Sequence, residues 1–180
     1  MELRDKNGLT EREFLAAYNA DKYPKPSLTA DVAIFSREGE RLRLLLIRRG
    51  GHPFLGCLAL PGGFANKNEP LEESAARELL EETGVKDVPL ALAGVFSTPG
   101  RDPRGWVVTA AYTALVDASR LTVTAGDDAA DAQWYDVVFG ADGTDIRLRR
   151  GGEELTLDDR GIAFDHGEII RQALRVLRLD

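Results

Sequence analysis

The sequence predicts a single α/β domain in which a mixed β-sheet lies between helices. The chain has 180 residues, of which 43% are hydrophobic and 29% are charged, and such values are typical of one globular domain. Three segments have helical periodicity, and about eight short apolar segments, bounded by glycine, proline or polar residues, resemble strands. Such a mixture favours a sheet with helices packed on its faces.

The helical segments begin and end at recognisable capping residues. Thr10, followed by Glu13, is a capping-box pattern. Pro70 suits the first turn of the second helix and Gly84 suits its C-terminal cap. Asp165 is placed to cap the third helix. The predicted helices are residues 10–20, with an apolar stripe of Phe14, Leu15, Ala17 and Tyr18, residues 70–83, and residues 166–177, with a core stripe of Ile169, Ile170, Ala173, Leu174 and Leu177.

The strand segments include two predicted hairpins. One joins residues 28–35 to residues 42–47 through a turn at Gly39, and the other turns at Gly151-Gly152. Residues 1–26 form a helical extension, and residues 27–180 form the main domain. The remaining predicted strands are residues 57–60, 88–96, 105–116 and 132–138, and the second hairpin is residues 147–157.

Charge and composition restrict the partners and the compartment. A net charge of -7 repels phosphate backbones, so we expect no nucleic-acid partner, although a bound divalent cation can reverse the field locally. The first eight residues are polar and no apolar run approaches 18 residues, so we expect no signal peptide and no membrane span. Cys57 is the single cysteine, which fits a cytoplasmic protein, and we expect it to be buried and inert.

Three glutamates on the second helix form the main chemical feature. At about 100° per residue, Glu78 and Glu82 lie roughly 40° apart and one turn apart, with Glu81 beside them. Like charges at this spacing destabilise a helix by about 0.2–0.5 kcal/mol per pair, and a divalent cation removes that repulsion. A glutamate-rich solvated helix is the alternative. Glycines Gly62 and Gly63 let a loop approach the carboxylates closely. The apolar residues of the adjoining arc are Leu71, Ala75, Ala76, Leu79 and Leu80.

The segment from residue 63 to residue 85 resembles the signature of the Nudix hydrolases, G-x5-E-x7-R-E-U-x-E-E-x-G-U, where U is a bulky aliphatic residue. All nine specified positions match, which makes the pattern specific. The resemblance implies a Nudix-type α/β/α sandwich with a mixed β-sheet between helices. The matching residues are Gly63, Glu69, Arg77, Glu78, Leu79, Glu81, Glu82, Gly84 and Val85.

The same resemblance implies roles for these residues. Glu78, Glu81 and Glu82 correspond to the catalytic and metal-binding carboxylates, and the carbonyl of Gly62 corresponds to a backbone ligand. The implied cofactor is Mg²⁺ or Mn²⁺. Glu69 and Arg77 correspond to a pair that fixes the loop onto the helix. The residues with implied structural roles are Gly63, Glu69, Arg77 and Gly84.

A looser resemblance over residues 27–178 points to the bacterial ADP-ribose pyrophosphatase-like group, and the same pieces occur in the Nudix half of a regulator of NAD metabolism. The pieces include LALPGGF, RDPRGWVVTAAY and AGDDAADAQW. Two positions depart from the group. Leu58 stands where a tryptophan is usual, and Arg101 stands where a proline 16 residues past the signature marks ADP-ribose hydrolases.

Arginines and aspartates outside the signature are the next candidates. Arg49, Arg101 and Arg104 can bind substrate phosphate or ribose oxygens, or they can lie on a solvated surface. Asp128 is the first candidate, and Asp127 the second, for an acidic residue outside the signature that acts as general base or metal ligand. The alternative is that the two form a turn. The aromatic residues Trp106, Trp134 and Tyr112 either stack on a base or belong to the core. His166 is interpreted as structural.

Three functions are compatible with these features. The first is hydrolysis of a nucleoside diphosphate derivative, ADP-ribose in particular, to AMP and ribose 5-phosphate. The second is a pyrophosphohydrolase that removes damaged nucleoside triphosphates. The third is a ligand-sensing regulator, but residues 140–180 lack a basic recognition helix, and a sensor does not need an intact catalytic signature. We expect a small nucleotide substrate as partner, and the N-terminal helix and residues 145–157 as the candidate surfaces for a homodimer.

Overall fold

A computed structural model describes residues 2–121, 123–124, 129–140 and 145–179. Within these residues the chain forms three α-helices, one short 3-10 helix and nine strands. The elements are α1 (Glu11–Ala17), β1 (Ser27–Glu38), β2 (Arg41–Arg49), β3 (Leu58–Ala59), β4 (Gly62–Phe64), α2 (Leu71–Thr83), β5 (Ala91–Phe96), β6 (Val107–Val116), the 3-10 turn (Ala118–Arg120), β7 (Ala129–Phe139), β8 (Ile146–Arg150), β9 (Glu153–Thr156) and α3 (His166–Leu177).

The strands form one mixed sheet in the order β5-β6-β1-β2-β7-β8-β9. Strands β1 and β6 are parallel over ten residue pairs, and the other neighbours are antiparallel. The short strands β3 and β4 pair with β2 and β1 respectively. Both predicted hairpins are confirmed, and the second one extends the edge of the sheet through β7, β8 and β9.

The central strand β1 is buried on both faces of the sheet: its successive side chains point to opposite faces, and residues 29–36 are all buried. Even-numbered residues of β1 contact the core beneath α2, and odd-numbered residues contact the core beneath α3. Burial of each large aliphatic side chain contributes about 1.5–3 kcal/mol, so both layers stabilise the central strand. The predicted sandwich of helix, sheet and helix is confirmed. On the α2 side lie Ala30, Val32, Ile34, Ala75 and Leu79, and on the α3 side lie Ala33, Phe35, Ile170, Ala173 and Leu174.

The N-terminal helix is shorter than predicted, and its apolar stripe is not part of a core. The capping box of Thr10 and Glu13 is present, but no residue of α1 is buried. Phe14, Leu15 and Tyr18 are 45%, 60% and 52% exposed. The stripe was predicted from the spacing of its apolar residues. Such spacing shows that a helix is amphipathic, but it does not show which surface covers the apolar side.

Three further expectations were wrong in part. Ala76 is exposed and Leu80 is 45% exposed, so the packed arc of α2 is narrower than predicted. The segment at Gly62 is a strand, because it pairs with β1, whereas proline and glycine indicated a loop. Asp165 stands at the N-terminus of α3 but makes no side-chain cap, because Arg101 holds its carboxylate.

Cys57 is half-buried, and its Sγ lies 3.4 Å from the carbonyl oxygen of Arg160, so the expected full burial was also wrong. In the part of the chain that the structure describes, no helix is both long and apolar enough to cross a membrane.

Candidate active site

The glycine pair Gly62-Gly63 lies against the carboxylates of α2. The backbone N–H of Gly62 donates a hydrogen bond to Oε2 of Glu82, with an N···O distance of 2.8 Å. A Cβ atom added to Gly63 would lie 2.5 Å from Oε1 of Glu78, and one added to Gly62 would collide with the carbonyl oxygen of Ala30. Gly62 therefore needs glycine, because backbone atoms lie too close for a side chain, and a side chain at Gly63 would displace the carboxylate of Glu78.

Glu78 and Glu82 are carboxylates in a partly dry environment. Burial raises the pKa of Glu82 to about 8; the hydrogen bond from Gly62 opposes the rise and the charge of Glu78 adds to it. Burial also raises the pKa of Glu78, against the opposing effect of the Arg77 guanidinium, whose Nη1 lies 2.6 Å from Oε1 of Glu78. The site thus holds two carboxyl groups whose charged forms water solvates poorly, and a bound cation would favour those charged forms.

Arg77 ties the turn before α2 to the helix. Its Nε and Nη2 donate to the two carboxylate oxygens of Glu69 over 2.8 and 3.0 Å, and Nη2 also donates to the carbonyl oxygen of Phe64 over 3.1 Å. The backbone N–H of Asn66 and the hydroxyl of Ser74 donate to the same carboxylate. These contacts, with Arg77 the largest, lower the pKa of Glu69 to about 2. The pair therefore stays ionised and holds β4 against the helix.

Two further signature positions, Glu81 and Gly84, lie at the edges of α2. Glu81 has a side chain that is 57% exposed, and its Oε2 lies 3.2 Å from Nη1 of Arg77. Gly84 ends the helix in the left-handed conformation at φ 72°, with its N–H donating to the carbonyl oxygen of Leu80, as predicted. Glu81 thus faces solvent beside the buried pair rather than sharing its environment.

The carboxylates fit a divalent cation whose coordination shell is completed by other ligands. No three His, Cys, Asp or Glu side chains within the described ranges are close enough to hold a metal ion by themselves. Mg²⁺ and Mn²⁺ commonly take one or two carboxylates together with waters and substrate phosphates. Glu78 and Glu82, with their raised pKa values, supply such a pair.

A narrow cleft of about 50 Å³ opens on the other side of the glycine pair. This volume exceeds the share of one water molecule in the liquid, about 30 Å³, but it is far below that of a nucleotide pocket. A whole nucleotide would therefore have to extend onto the surrounding rim. The residues lining the cleft are Thr29, Asp31, Arg49, Leu60, Gly62, Gly63, Phe64, Arg101, Asp102, Arg104, Phe164 and His166.

All three arginines predicted to bind substrate line this cleft, and two of them present guanidinium groups on aromatic rings. Arg104 lies over the rings of Phe64 and Phe164 at 4.7 and 5.4 Å, and Arg49 lies over Phe164 at 5.0 Å. Burial, followed by the charge of Arg104, lowers the pKa of Arg49. Arg104 is also held by the carboxylate of Asp102, at 2.7 Å from Nη2. The guanidinium groups of Arg49 and Arg104 are thus neighbouring cations in a cleft whose lining also includes the carboxylates of Asp31 and Asp102.

The third arginine, Arg101, is used differently in the structure. Its side chain is only 4% exposed and its Nε and Nη2 donate to both oxygens of Asp165 over 2.8 and 2.6 Å. Its Nη2 also lies 3.8 Å from Oδ2 of Asp31. The ion pair joins the loop before β6 to the start of α3. A substrate contact by Arg101 stays a prediction.

Several residues of the site were missed by sequence reasoning. Asp31 is buried on β1, accepts a hydrogen bond from the hydroxyl of Thr109 over 2.7 Å, and lies beside Gly62. The available signal was an acidic residue within an otherwise apolar strand. Phe64 and Phe164, which support the arginines, gave no such signal, because isolated aromatic residues in a sequence usually indicate core.

His166, interpreted as structural, is buried beneath the cleft. Its Nδ1 accepts the N–H of Leu60 over 2.9 Å, and its Nε2 lies 3.7 Å from Oδ1 of Asp31. Burial lowers its pKa, so the ring is neutral at pH 7 and Nε2 carries its hydrogen. Asp127 and Asp128 lie outside the described residues. Tyr112 and Trp134 belong to the core around α2, whereas Trp106 is 56% exposed.

The comparisons with known proteins agree with this geometry. The family model of the NUDIX domain matches residues 25–138. The chain is 44% identical over 133 residues to the ADP-ribose pyrophosphatase of Methanocaldococcus jannaschii, covering 74% of this chain and 66% of the relative. It is 34% identical over 172 residues to the ADPR responsive transcriptional repressor NtrR of Acinetobacter baylyi, covering 93% of this chain and 60% of the relative. The chain thus spans less than two thirds of the length of either relative.

A solved structure of similar shape carries a ligand. The NUDIX domain of Shewanella oneidensis NrtR, in a cocrystal with ADP ribose, superimposes on this chain with a TM-score of 0.72 at 31% identity. The match covers 94% of this chain and 99% of that domain.

Proposed function

Because the chain belongs to the NUDIX domain family, we propose that it hydrolyses the diphosphate bond of a nucleoside diphosphate derivative, with ADP-ribose as substrate and AMP and ribose 5-phosphate as products. One relative is an ADP-ribose pyrophosphatase and another binds ADP ribose. The hydrolysis depends on a divalent cation, Mg²⁺ or Mn²⁺.

One observation carries this proposal. The partly buried carboxylates of α2 and the arginine-lined cleft meet at the backbone of Gly62 and Gly63. Hydrolysis of a diphosphate needs negative ligands for the cation and positive groups for the phosphate oxygens. A site with only acidic side chains would lack groups to bind the phosphate oxygens, and a site with only basic side chains would lack ligands for the cation.

Each group then has a defined task. When bound, the cation neutralises the diphosphate and makes a water molecule more acidic. Glu78 and Glu82, with Glu81 in support and the Gly62 carbonyl, hold the cation. Within the described residues, the side chain of Arg49 makes a single hydrogen bond, from Nε to the carbonyl of Pro53. Its remaining guanidinium N–H groups are available to bind phosphate oxygens.

Arg104, stacked on Phe64 and held by Asp102, is fixed in direction and binds the same anion.

Asp128 accepts the proton of the attacking water, with Asp127 as the second choice. We expect Asp128→Asn to lower kcat at least tenfold, as for a lost general base. Near-normal kcat in both Asp127→Asn and Asp128→Asn would remove this pair from the mechanism.

The direct test is product analysis with a panel of diphosphates in the presence of Mg²⁺ or Mn²⁺. We expect AMP and ribose 5-phosphate from ADP-ribose, no turnover in excess chelator, and at least a hundredfold lower kcat for Glu82→Gln. Full activity in chelator would contradict the metal requirement. A tenfold preference in kcat/KM for a nucleoside triphosphate, with release of pyrophosphate, would contradict the substrate class.

The alternative function is a sensor that binds ADP-ribose without cleaving it. It is favoured by the match over 93% of this chain to an ADPR responsive repressor. The same assay separates the two, because a sensor binds ADP-ribose in calorimetry while the ligand is recovered intact after incubation with the cation. The complete set of carboxylates in the signature favours the enzyme.

A further inference from the structure

The loop between β5 and β6 exposes a large aromatic side chain next to the reaction cleft. Trp106 directly precedes β6, where a strand position would have placed it in the core, yet it is 56% exposed. Among the described residues, no ring or cation stacks on its indole. An exposed indole is the most favourable side-chain surface for stacking, so Trp106 is available for a contact with a flat ligand beside the polar site.

Hydrogen bonds hold this loop in one shape. The carbonyl oxygen of Trp106 accepts the N–H of Ser27 over 2.9 Å, which fixes the residue to the first pair of the β1-β6 register. Two residues earlier, the N–H and the guanidinium of Arg104 both donate to Asp102. The indole is therefore attached to a preformed backbone, so that binding a ligand requires little further ordering.

Trp106 borders a second cleft of about 590 Å³, a volume within the range of small-molecule sites. Its walls consist mostly of prolines, glycines and apolar groups, and among the residues that the structure describes only one charged residue, Asp102, lines it. The carboxylate of Asp102 is already engaged by Arg104. The lining residues are Thr98, Pro99, Gly100, Asp102, Pro103, Gly105, Trp106 and Val107.

The two clefts are adjacent, because Asp102 lines both. Arg104 points to the reaction cleft and Trp106 lies two residues further along the chain, at most about 7 Å away along the backbone. A ligand whose anionic end contacts Arg104 therefore lies near the loop that carries Trp106, and a flat apolar group one sugar ring away from that end is of the right length to reach this loop. This spacing matches the order of groups in a nucleotide: diphosphate, ribose and base.

We infer that Trp106 and the cleft beside it form the subsite for the nucleobase, and that stacking on the indole selects nucleotides over base-free sugar diphosphates. The inference rests on the proposed function for the placement of the diphosphate. Stacking on an aromatic side chain tolerates any base, so this subsite selects for the presence of a base rather than for one base.

The test measures binding of AMP and of ribose 5-phosphate, which share the phosphate and the ribose but differ in the base. The chain has two tryptophans, so Trp134→Phe leaves Trp106 as the single indole, and its fluorescence reports stacking. We expect AMP, but not ribose 5-phosphate, to quench this fluorescence. Trp106→Ala should weaken AMP binding about fivefold to a hundredfold, as for a lost base stack, Trp106→Phe should retain most of the affinity, and ribose 5-phosphate should bind all variants equally.

Equal AMP affinity in Trp106→Ala, no binding of AMP at all, or an equal loss for both ligands would overturn the inference. So would conversion of a dimer to a monomer by Trp106→Ala with unchanged AMP affinity in sedimentation and calorimetry, because the indole would then belong to an interface. The two proposals fail separately. A base-dependent contrast without hydrolysis of ADP-ribose removes only the catalytic function, and hydrolysis without the contrast removes only this subsite.

Discussion

Replacing Glu82 by glutamine should make the metal-free protein more stable at neutral pH. The pKa of Glu82 rises from 4.5 to about 8 because the carboxylate is buried. At about 1.4 kcal/mol per pH unit, folding loses roughly 3 kcal/mol to this group at pH 7, where it is still largely protonated in the folded protein, and roughly 5 kcal/mol well above pH 8, where it is ionised. Glutamine occupies the same space without a charge, so the variant avoids this loss.

The same pKa values determine how the free energy of unfolding changes with pH. The folded protein binds the proton of Glu82 more tightly than the unfolded chain does, so the stabilising contribution is complete below about pH 4.5 and is lost as the pH rises to about 8. In chelator, the free energy of unfolding of the original protein should therefore fall relative to Glu82→Gln between pH 5 and pH 8. A saturating divalent cation should reverse the fall, because it binds the folded form with Glu82 ionised.

The assay is urea unfolding at several pH values with and without the cation. Glu81→Gln is the matched control, since its side chain is 57% exposed at the edge of the same helix, and it should follow the original protein. The reasoning would be refuted if the original protein and Glu82→Gln kept a constant difference in unfolding free energy from pH 5 to pH 8 in chelator.

Three further substitutions test the site. Arg77→Ala should lower both the melting temperature and kcat, and Arg77→Lys should restore only part, because lysine cannot pair with both oxygens of Glu69; full rescue in thermal melts would contradict this role. Arg49→Ala should raise KM at least tenfold with little change in melting temperature, since it loses one hydrogen bond to the backbone; an unchanged KM would exclude a phosphate contact. Gly63→Ala should lower kcat strongly, because its Cβ would lie 2.5 Å from Oε1 of Glu78 and would displace that carboxylate; a kcat near normal would show that the Glu78 side chain can move without loss of function.

The parts of the fold that sequence could predict are those encoded by local patterns. The period of the apolar residues in α2 and α3, the capping positions and the glycine turns each depend on neighbours within a few residues. The carboxylates of Glu78 and Glu82 were found in the same way, since their spacing along one helix fixes their relation.

The rest of the site depends on contacts between distant segments, which no local pattern records. Asp31 and Gly62 are neighbours because β4 pairs with β1. The guanidinium of Arg101 is paired within the protein because Asp165 lies 64 residues away in sequence but 2.6 Å away in space. The exposure of Trp106 depends on where β6 begins, and strand ends are poorly defined by sequence. The arginine-lined cleft was therefore predicted by residue type but not by arrangement.

The pairing of β1 has a consequence for how this protein can change in evolution. Gly62 lies opposite Asp31 on one side of the strand, and Trp106 and Thr109 are fixed to its other side. Inserting or deleting one residue within 27–36 would move every later side chain to the opposite face. Length variation among descendants of this chain should therefore be absent from this stretch and should concentrate at exposed turns such as Gly39, where a change in length leaves the site intact.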